Sequence, residues 1–224
     1  MALDSRNALR IAVGLALAAG LLSAGCEDPA TRFNRTGLTA YYAGRHQEAL
    51  SAFEEAMAAN PDRGEYYFNA AMVDQTLGHL DRALFLYEMA TKLDPSITIA
   101  YYNMAKCYEA KGSPERALAV LQTGTQANPY TADAFLNVAR WYVEKEDLKQ
   151  ARLWMAKAVA AEPDSARAHR EFGYLLVRLG ERDEGVLHLR KSMELAPAQP
   201  ETSATLSDLA PTGSQLPPPK TETE

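Results

Sequence analysis

The chain has 224 residues, of which 47% are hydrophobic and 23% charged, and its formal net charge is -6. The chain has two cysteines, too few for a disulfide scaffold or a four-thiolate zinc site. Its 13 glycines do not recur with a short period, which excludes a collagen-like chain. A mildly acidic chain without a basic run also gives no electrostatic reason to expect nucleic-acid binding.

Residues 1–25 have the pattern of a cleaved signal peptide. Arg6 and Arg10 precede an uncharged apolar run over residues 11–22, and small residues follow it. This run is too short to cross a bilayer core, which needs about 20 residues. A basic start, a short apolar stretch and a small-residue end are typical of a secretory signal.

The segment Leu22-Ser23-Ala24-Gly25-Cys26 resembles the lipobox of bacterial lipoproteins. This resemblance implies that Cys26 carries lipid as the mature N-terminus and that residues 26–29 are a short tether to the membrane. Ordinary cleaved secretion without lipid, and an uncleaved or chance apolar start, are the alternatives for this segment, and a disulfide with Cys107 is the alternative role of Cys26. Cys107 lies on an apolar helix face and is predicted to be a core residue.

Glu27 stands where an aspartate would favour retention in the inner membrane of enterobacteria, so the outer membrane is the expected location if the organism has one.

Five prolines recur at one constant interval, which equals the period of a helical repeat of about 34 residues. They are Pro61, Pro95, Pro129, Pro163 and Pro197. The positions between them also recur: in the second unit Tyr67, Ala71, Ala83, Tyr87 and Ala90 match the tetratricopeptide motif in register. The sequence resembles this family over five units, 30–63, 64–97, 98–131, 132–165 and 166–199. The resemblance implies an all-α fold, a right-handed α-solenoid of helix-turn-helix repeats.

Glycine marks the predicted turn between the two helices of a repeat. Gly44, Gly78, Gly112 and Gly180 stand at this position, where a left-handed residue ends the first helix at little cost. The fourth repeat has Glu146 instead, and we expect its turn to be tighter or less stable. Gly124 lies inside a predicted helix and is expected to soften the third repeat by about 1 kcal/mol.

The sequence changes character after the last repeat. Residues 200–210 are predicted to form a short helix that caps the array, with Leu206 and Leu209 as its apolar contacts. Residues 211–224 include three consecutive prolines and lack apolar periodicity, and this composition predicts a disordered tail.

No pattern for catalysis stands out. The four histidines have no second histidine three or four residues away, which argues against a helix-borne metal pair, and there is no glycine-rich phosphate loop. We therefore expect no enzyme activity, no cofactor, no metal and no small-molecule substrate.

Tetratricopeptide arrays bind peptides or proteins in the groove that the first helices of the repeats form. Asn69, Asn103 and Asn137 recur once per repeat and are a candidate ladder of amides for a bound backbone, or else a common family feature without a ligand. Other groove positions change from apolar to basic along the array, which predicts an extended partner with an apolar end and an acidic end. Alternatively, the basic residues are only a solvated face. These predicted groove residues are Phe68, Met72, Tyr102, Lys106, Arg140, Arg167, Arg170, Tyr174 and Arg178.

The sequence thus predicts a non-enzymatic scaffold or adaptor, lipid-anchored in the bacterial cell envelope, with a protein partner in its groove. Its architecture resembles the pilotin-type lipoproteins that assist pilus and secretion-system assembly. A recruiter of cell-wall enzymes and an accessory subunit of a larger envelope enzyme are the alternatives.

Overall fold

The computed structural model describes residues 27–209. The predicted signal peptide, the lipidation site Cys26 and the predicted tail at 211–224 lie outside these residues. Between residues 27 and 209 the chain forms eleven α-helices and no strand, which confirms the all-α prediction. In chain order the helices are α1 Pro29–Tyr42, α2 His46–Ala59, α3 Gly64–Thr76, α4 Leu80–Leu93, α5 Thr98–Ala110, α6 Pro114–Ala127, α7 Ala132–Glu144, α8 Leu148–Ala161, α9 Ala166–Arg178, α10 Arg182–Leu195 and α11 Pro200–Asp208.

Helices α1 to α10 form five antiparallel pairs, and each pair packs against the next to give a solenoid. The alanines at one repeated position of the second helix, Ala49, Ala83, Ala117 and Ala151, are completely buried, as close helix approach requires. Each second helix ends shortly before a repeat proline, with a single residue between them. This intervening residue, such as Asn60 (φ -146°, ψ 92°), is extended, because a following proline disfavours helical backbone.

The turn within each pair contains one residue of positive φ. Gly44, Gly78, Gly112 and Gly180 have φ between 72° and 82°, and Glu146 has φ 59°. Glu146 therefore adopts the same left-handed conformation as the glycines, although a side chain makes this conformation unfavourable.

The buried apolar side chains form two large clusters joined by a small one, and a second small cluster lies between the first two repeats. The first includes residues of α1 to α5, among them Cys107, which is buried as predicted, and the second joins α7, α8 and α9. Burial raises the pKa of the Cys107 thiol to about 11, so Cys107 is an unreactive core residue. The small cluster, with Leu121 and Trp141, connects the two halves through α6.

The first helices of neighbouring repeats touch one another (α1 with α3, α3 with α5, α5 with α7 and α7 with α9), while the second helices are more widely separated. The surface of α3, α5, α7 and α9 is therefore the inner face of the solenoid, and we call it the concave face. None of the helices between residues 27 and 209 is long and apolar enough to cross a membrane.

Candidate binding site on the concave face

Two of the three ladder asparagines are buried and hydrogen-bonded to neighbouring repeats, which corrects the prediction that their amides are exposed to a ligand. Asn69 and Asn137 are only 5% and 4% exposed. The Asn69 amide donates to Oδ1 of Asn34 at 2.8 Å, and the Asn137 amide donates to the carbonyl oxygen of Thr98 at 3.0 Å. Both bonds join neighbouring repeats, so these side chains brace the stack. Asn103 is half-buried.

The predicted apolar end is half-buried. Phe68 and Met72 pack against the first core cluster, and the Phe68 ring lies 5.8 Å from the Tyr87 ring. Tyr102 packs partly against the small cluster that joins the two halves. These three side chains therefore present only part of their apolar surface to a partner.

Acidic side chains neutralise the middle of the concave face. The Lys106 ammonium lies 2.6 Å from a carboxylate oxygen of Glu144, and Lys145 lies 2.5 Å from Glu109. Tyr102 donates its hydroxyl hydrogen to Glu144, and the Arg140 guanidinium stands 5.2 Å above the Tyr102 ring. This part of the face is a closed network between the third and fourth repeats.

The network shifts the pKa values of its side chains. The hydrogen bond with Glu144 raises the pKa of Lys106, although burial opposes this. Burial acts to raise the pKa of Glu144, but hydrogen bonds from Lys106 and Tyr102 outweigh it and hold this pKa below its usual value. Burial, followed by the hydrogen bond to Glu144, raises the pKa of Tyr102. At neutral pH the carboxylate and the ammonium are both charged and attract each other.

At the C-terminal end some arginines are paired and others are not. Arg167 forms ion pairs with Asp133 and Glu171, both at 2.8 Å, and Arg140 approaches Glu171 at 4.0 Å. Within residues 27–209, Arg170 and Arg178 form no ion pair. The predicted gradient from apolar to basic is therefore corrected: among the described residues Lys106 and Arg167 are neutralised by close ion pairs, Arg140 has only the contact at 4.0 Å, and Arg170 and Arg178 have none.

The acidic partners of Arg167 were missed from the sequence, although a signal was present. Arg167 occupies the same repeat position as Asp133, one unit later, and Glu171 follows Arg167 by one helical turn. Equivalent positions of adjacent repeats are neighbours in a solenoid, so an acid and a base at the same repeat position predict an ion pair.

A pocket of about 270 Å³ opens on the concave face between the fourth and fifth repeats. We call it the Tyr174 pocket. Its walls are mainly apolar, and Tyr174 is held in place because its hydroxyl lies 3.1 Å from Oγ1 of Thr202 on α11. The lining residues are Arg140, Val143, Met155, Glu171, Tyr174, Leu175 and Arg178.

The sequence does not predict one histidine pair, because its two members lie on different helices. Nδ1 of His169 lies 2.8 Å from Nδ1 of His188, and Nε2 of His169 lies 3.0 Å from the carbonyl oxygen of Pro163. Between residues 27 and 209 no group of three or more histidine, cysteine, aspartate or glutamate side chains is arranged to hold a metal ion.

Comparison with protein-family models agrees with the repeat geometry. A model described as tetratricopeptide repeat matches residues 40–97 and 108–170, more than half of the chain, and a second model of the same description matches residues 70–132. The chain belongs to the tetratricopeptide repeat family. This fold supports a role as a protein–protein interaction scaffold. Among curated proteins, none matches the chain in sequence.

Several solved tetratricopeptide structures are similar to this chain. TTC0263, a thermophilic TPR protein from Thermus thermophilus, is 24% identical, with a TM-score of 0.57 over 80% of this chain and 98% of its own. MamA from Desulfovibrio magneticus RS-1 is 24% identical, with a TM-score of 0.48 over 78% of this chain and 99% of its own. YrrB, described as a TPR protein with an unusual peptide-binding site, is 16% identical, with a TM-score of 0.46 over 80% and 93%. At 24% identity the similarity to TTC0263 shows the fold alone.

Proposed function

We propose that this tetratricopeptide protein is a non-enzymatic adaptor, held at the bacterial envelope by lipid on Cys26, that captures a protein partner on its concave face. The observation that carries the proposal is the combination of two unpaired arginines, Arg170 and Arg178, with the Tyr174 pocket on the same helix. Among the other predicted cations, Lys106 and Arg167 are already paired at close range, so this end is best suited to an acidic partner segment.

The start of the array is compatible with a short anchor. Asp28 caps α1 by accepting a hydrogen bond from the Thr31 backbone N–H at 3.3 Å. Arg35 donates two hydrogen bonds to Glu27, at 3.1 and 2.7 Å. Glu27, the residue next to Cys26, is therefore already bonded to the first helix. A lipid on Cys26 would keep the first repeat within about 10 Å of the headgroups, since an extended chain spans at most about 3.6 Å per residue.

The envelope part of the proposal is tested by replacing the anchor. The Cys26→Ser variant is expected to move from the membrane fraction to the soluble periplasmic fraction, and mass spectrometry of the wild type is expected to find acyl chains on Cys26. More than one acyl chain is needed for stable anchoring. Membrane attachment of Cys26→Ser, or an unmodified Cys26, would refute the lipid anchor without affecting the binding role.

The partner is tested by co-purification from detergent extracts. We expect wild-type protein to retain a pilus or secretion-assembly component, and the double variant Arg170→Glu/Arg178→Glu to lose it. The matched control is Arg116→Glu/Arg190→Glu, which makes the same charge change on the second helices α6 and α10, where neither arginine forms an ion pair among the described residues. Recovery of a peptidoglycan hydrolase would instead favour the recruiter of cell-wall enzymes. Equal retention by both double variants would refute capture at the arginines.

A further inference from the structure

The Tyr174 pocket has apolar walls and a charged mouth. Met155 and Leu175, each 5% exposed, line it together with Val143 and the Tyr174 ring. Arg140 of α7 and Arg178 of α9 also line it and are more exposed, which puts their charged groups on its solvent side, the mouth. A ligand group that enters this pocket must therefore be apolar at its tip.

The charge at the mouth is incompletely balanced. Glu171, which also lines the pocket, is 2.8 Å from Arg167 outside it, so its charge is already compensated. Arg140 reaches Glu171 only at 4.0 Å, and Arg178 has no ion pair within residues 27–209. Two guanidinium groups thus face an entering ligand, and guanidinium forms strong charge-assisted hydrogen bonds with carboxylates.

The size of the pocket limits what it holds. Its volume of about 270 Å³ lies below the range of about 300–1,000 Å³ that is usual for cofactors and drug-sized ligands. A single large side chain is a better match. The bond between Tyr174 and Thr202 holds one wall in position before binding, and such preorganisation lowers the entropic cost of binding.

We infer that the Tyr174 pocket takes one large apolar side chain of the partner segment, with a carboxylate on a neighbouring residue bound by Arg178 and Arg140. This inference rests on the proposed function and adds the recognition element: an apolar anchor next to an acidic residue. The acidic and apolar features of the partner therefore meet at one end of the concave face, whereas the sequence pattern predicts them at opposite ends.

The test uses the full chain and a capped pentapeptide of sequence glycine, glutamate, leucine, glutamate, glycine. Binding is followed by NMR of methionine methyl groups labelled with ¹³C, with the Met155 signal assigned from a Met155→Leu variant. We expect a saturable shift of the Met155 methyl signal. A peptide with alanine for leucine is expected to bind about tenfold more weakly, because it leaves most of the apolar surface unburied. A peptide with glutamine for both glutamates is expected to lose a similar factor.

Protein variants locate the binding. Arg178→Glu is expected to weaken binding of the leucine peptide about tenfold, and Arg190→Glu on α10 to leave it unchanged. An unchanged Met155 signal, or equal binding of the leucine and alanine peptides, would overturn the pocket assignment. That result is separable from failure of the proposed function, because partner capture is measured independently with the Arg170→Glu/Arg178→Glu variant in the co-purification.

Discussion

Glu146 is strained at the turn of the fourth repeat. Its φ of 59° matches the four turn glycines, and its side chain is exposed without an ion pair among the described residues. Left-handed backbone costs a non-glycine residue about 1–2 kcal/mol. A glycine at this position removes that cost, but it stabilises the unfolded chain by about 0.4–1 kcal/mol because glycine has more backbone freedom there.

We therefore expect Glu146→Gly to raise the free energy of unfolding by about 0.5–1 kcal/mol. Urea denaturation followed by circular dichroism measures this. The matched control is Gly112→Glu, which introduces the same side chain at the equivalent turn and is expected to destabilise the protein. A lower stability of Glu146→Gly would show that the turn is not strained.

The histidine pair makes stability depend on pH. Burial, together with the neighbouring His169, lowers the pKa of His188, while Glu184 opposes this shift. The unfolded chain then binds more protons than the folded chain at pH values between the lowered pKa and the ordinary value near 6.5, so stability rises with pH across that window.

We expect the free energy of unfolding to fall as the pH is lowered from about 7 through the ordinary histidine pKa near 6.5, and His188→Gln to reduce this slope. NMR titration of the ring protons of His188 gives a direct check. An apparent pKa at or above the ordinary histidine value would contradict the shift.

At the scale of the element, α11 shows how a polar helix covers the end of the array. Its only buried residue is Thr202, which is completely inaccessible, while Leu206 and Leu209 remain half-exposed. Thr202 donates to Oε1 of Gln199 at 3.2 Å, and Gln199 donates to the Ser192 carbonyl oxygen at 2.9 Å. Buried hydrogen bonds therefore contribute to holding this helix, beside the half-exposed leucines that the sequence pattern predicts as its contacts.

The Thr202→Val substitution keeps the shape of the side chain and removes its hydroxyl. We expect it to destabilise the last repeat by about 1–2 kcal/mol, because buried partners lose their bonds. Hydrogen exchange of the α9 to α11 amides is the measurement. Thr205→Val is the control, since the Thr205 hydroxyl donates within its own helix, to the Glu201 carbonyl oxygen. Equal exchange in the two variants would show that the polar contacts do not hold α11.

Gly124 has a packing role that its helix propensity does not reveal. A Cβ atom at this position would lie 2.9 Å from Cγ of Tyr101, closer than side chains tolerate. The sequence predicts only a local softening of α6. In the structure the glycine makes room for the Tyr101 side chain, whose position depends on how the two helices of the repeat pack.

At the scale of the molecule, the third repeat links the two large clusters. They lie on either side of α6, which buries Ala117, Leu121 and Gly124. Stability in a repeat array is approximately a sum of local and nearest-neighbour contributions, so weakening this link is expected to separate the unfolding of its two sides.

Leu121 is 1% exposed and belongs to the small cluster that connects the halves. We expect Leu121→Ala to cost about 2–5 kcal/mol and to separate the unfolding of α1–α5 from that of α7–α11. Hydrogen exchange with mass spectrometry at low urea measures the protection of each helix. Leu189→Ala is the control and is expected to affect α9 to α11 alone. Uniform loss of protection along the whole array in Leu121→Ala would contradict a link at the third repeat.

The sequence by itself determined the repeat architecture, because helix starts, turns and stops depend on residues within one repeat unit. The period of the prolines, the turn glycines and the buried alanines were all readable in this way. Even Glu146 was recognisable as the exception at its turn, since the equivalent positions of the other repeats are glycine.

Only the tertiary structure decided which groove residues are free to bind. Asn69 is bound to Asn34, and Lys106 to Glu144, across the boundary between repeats. Arg178 has no such partner within the described residues. Whether an acid reaches a base on the next repeat depends on the angle and spacing at which the helix pairs stack. That geometry comes from packing of many side chains along the whole array, so it cannot be read from any single repeat.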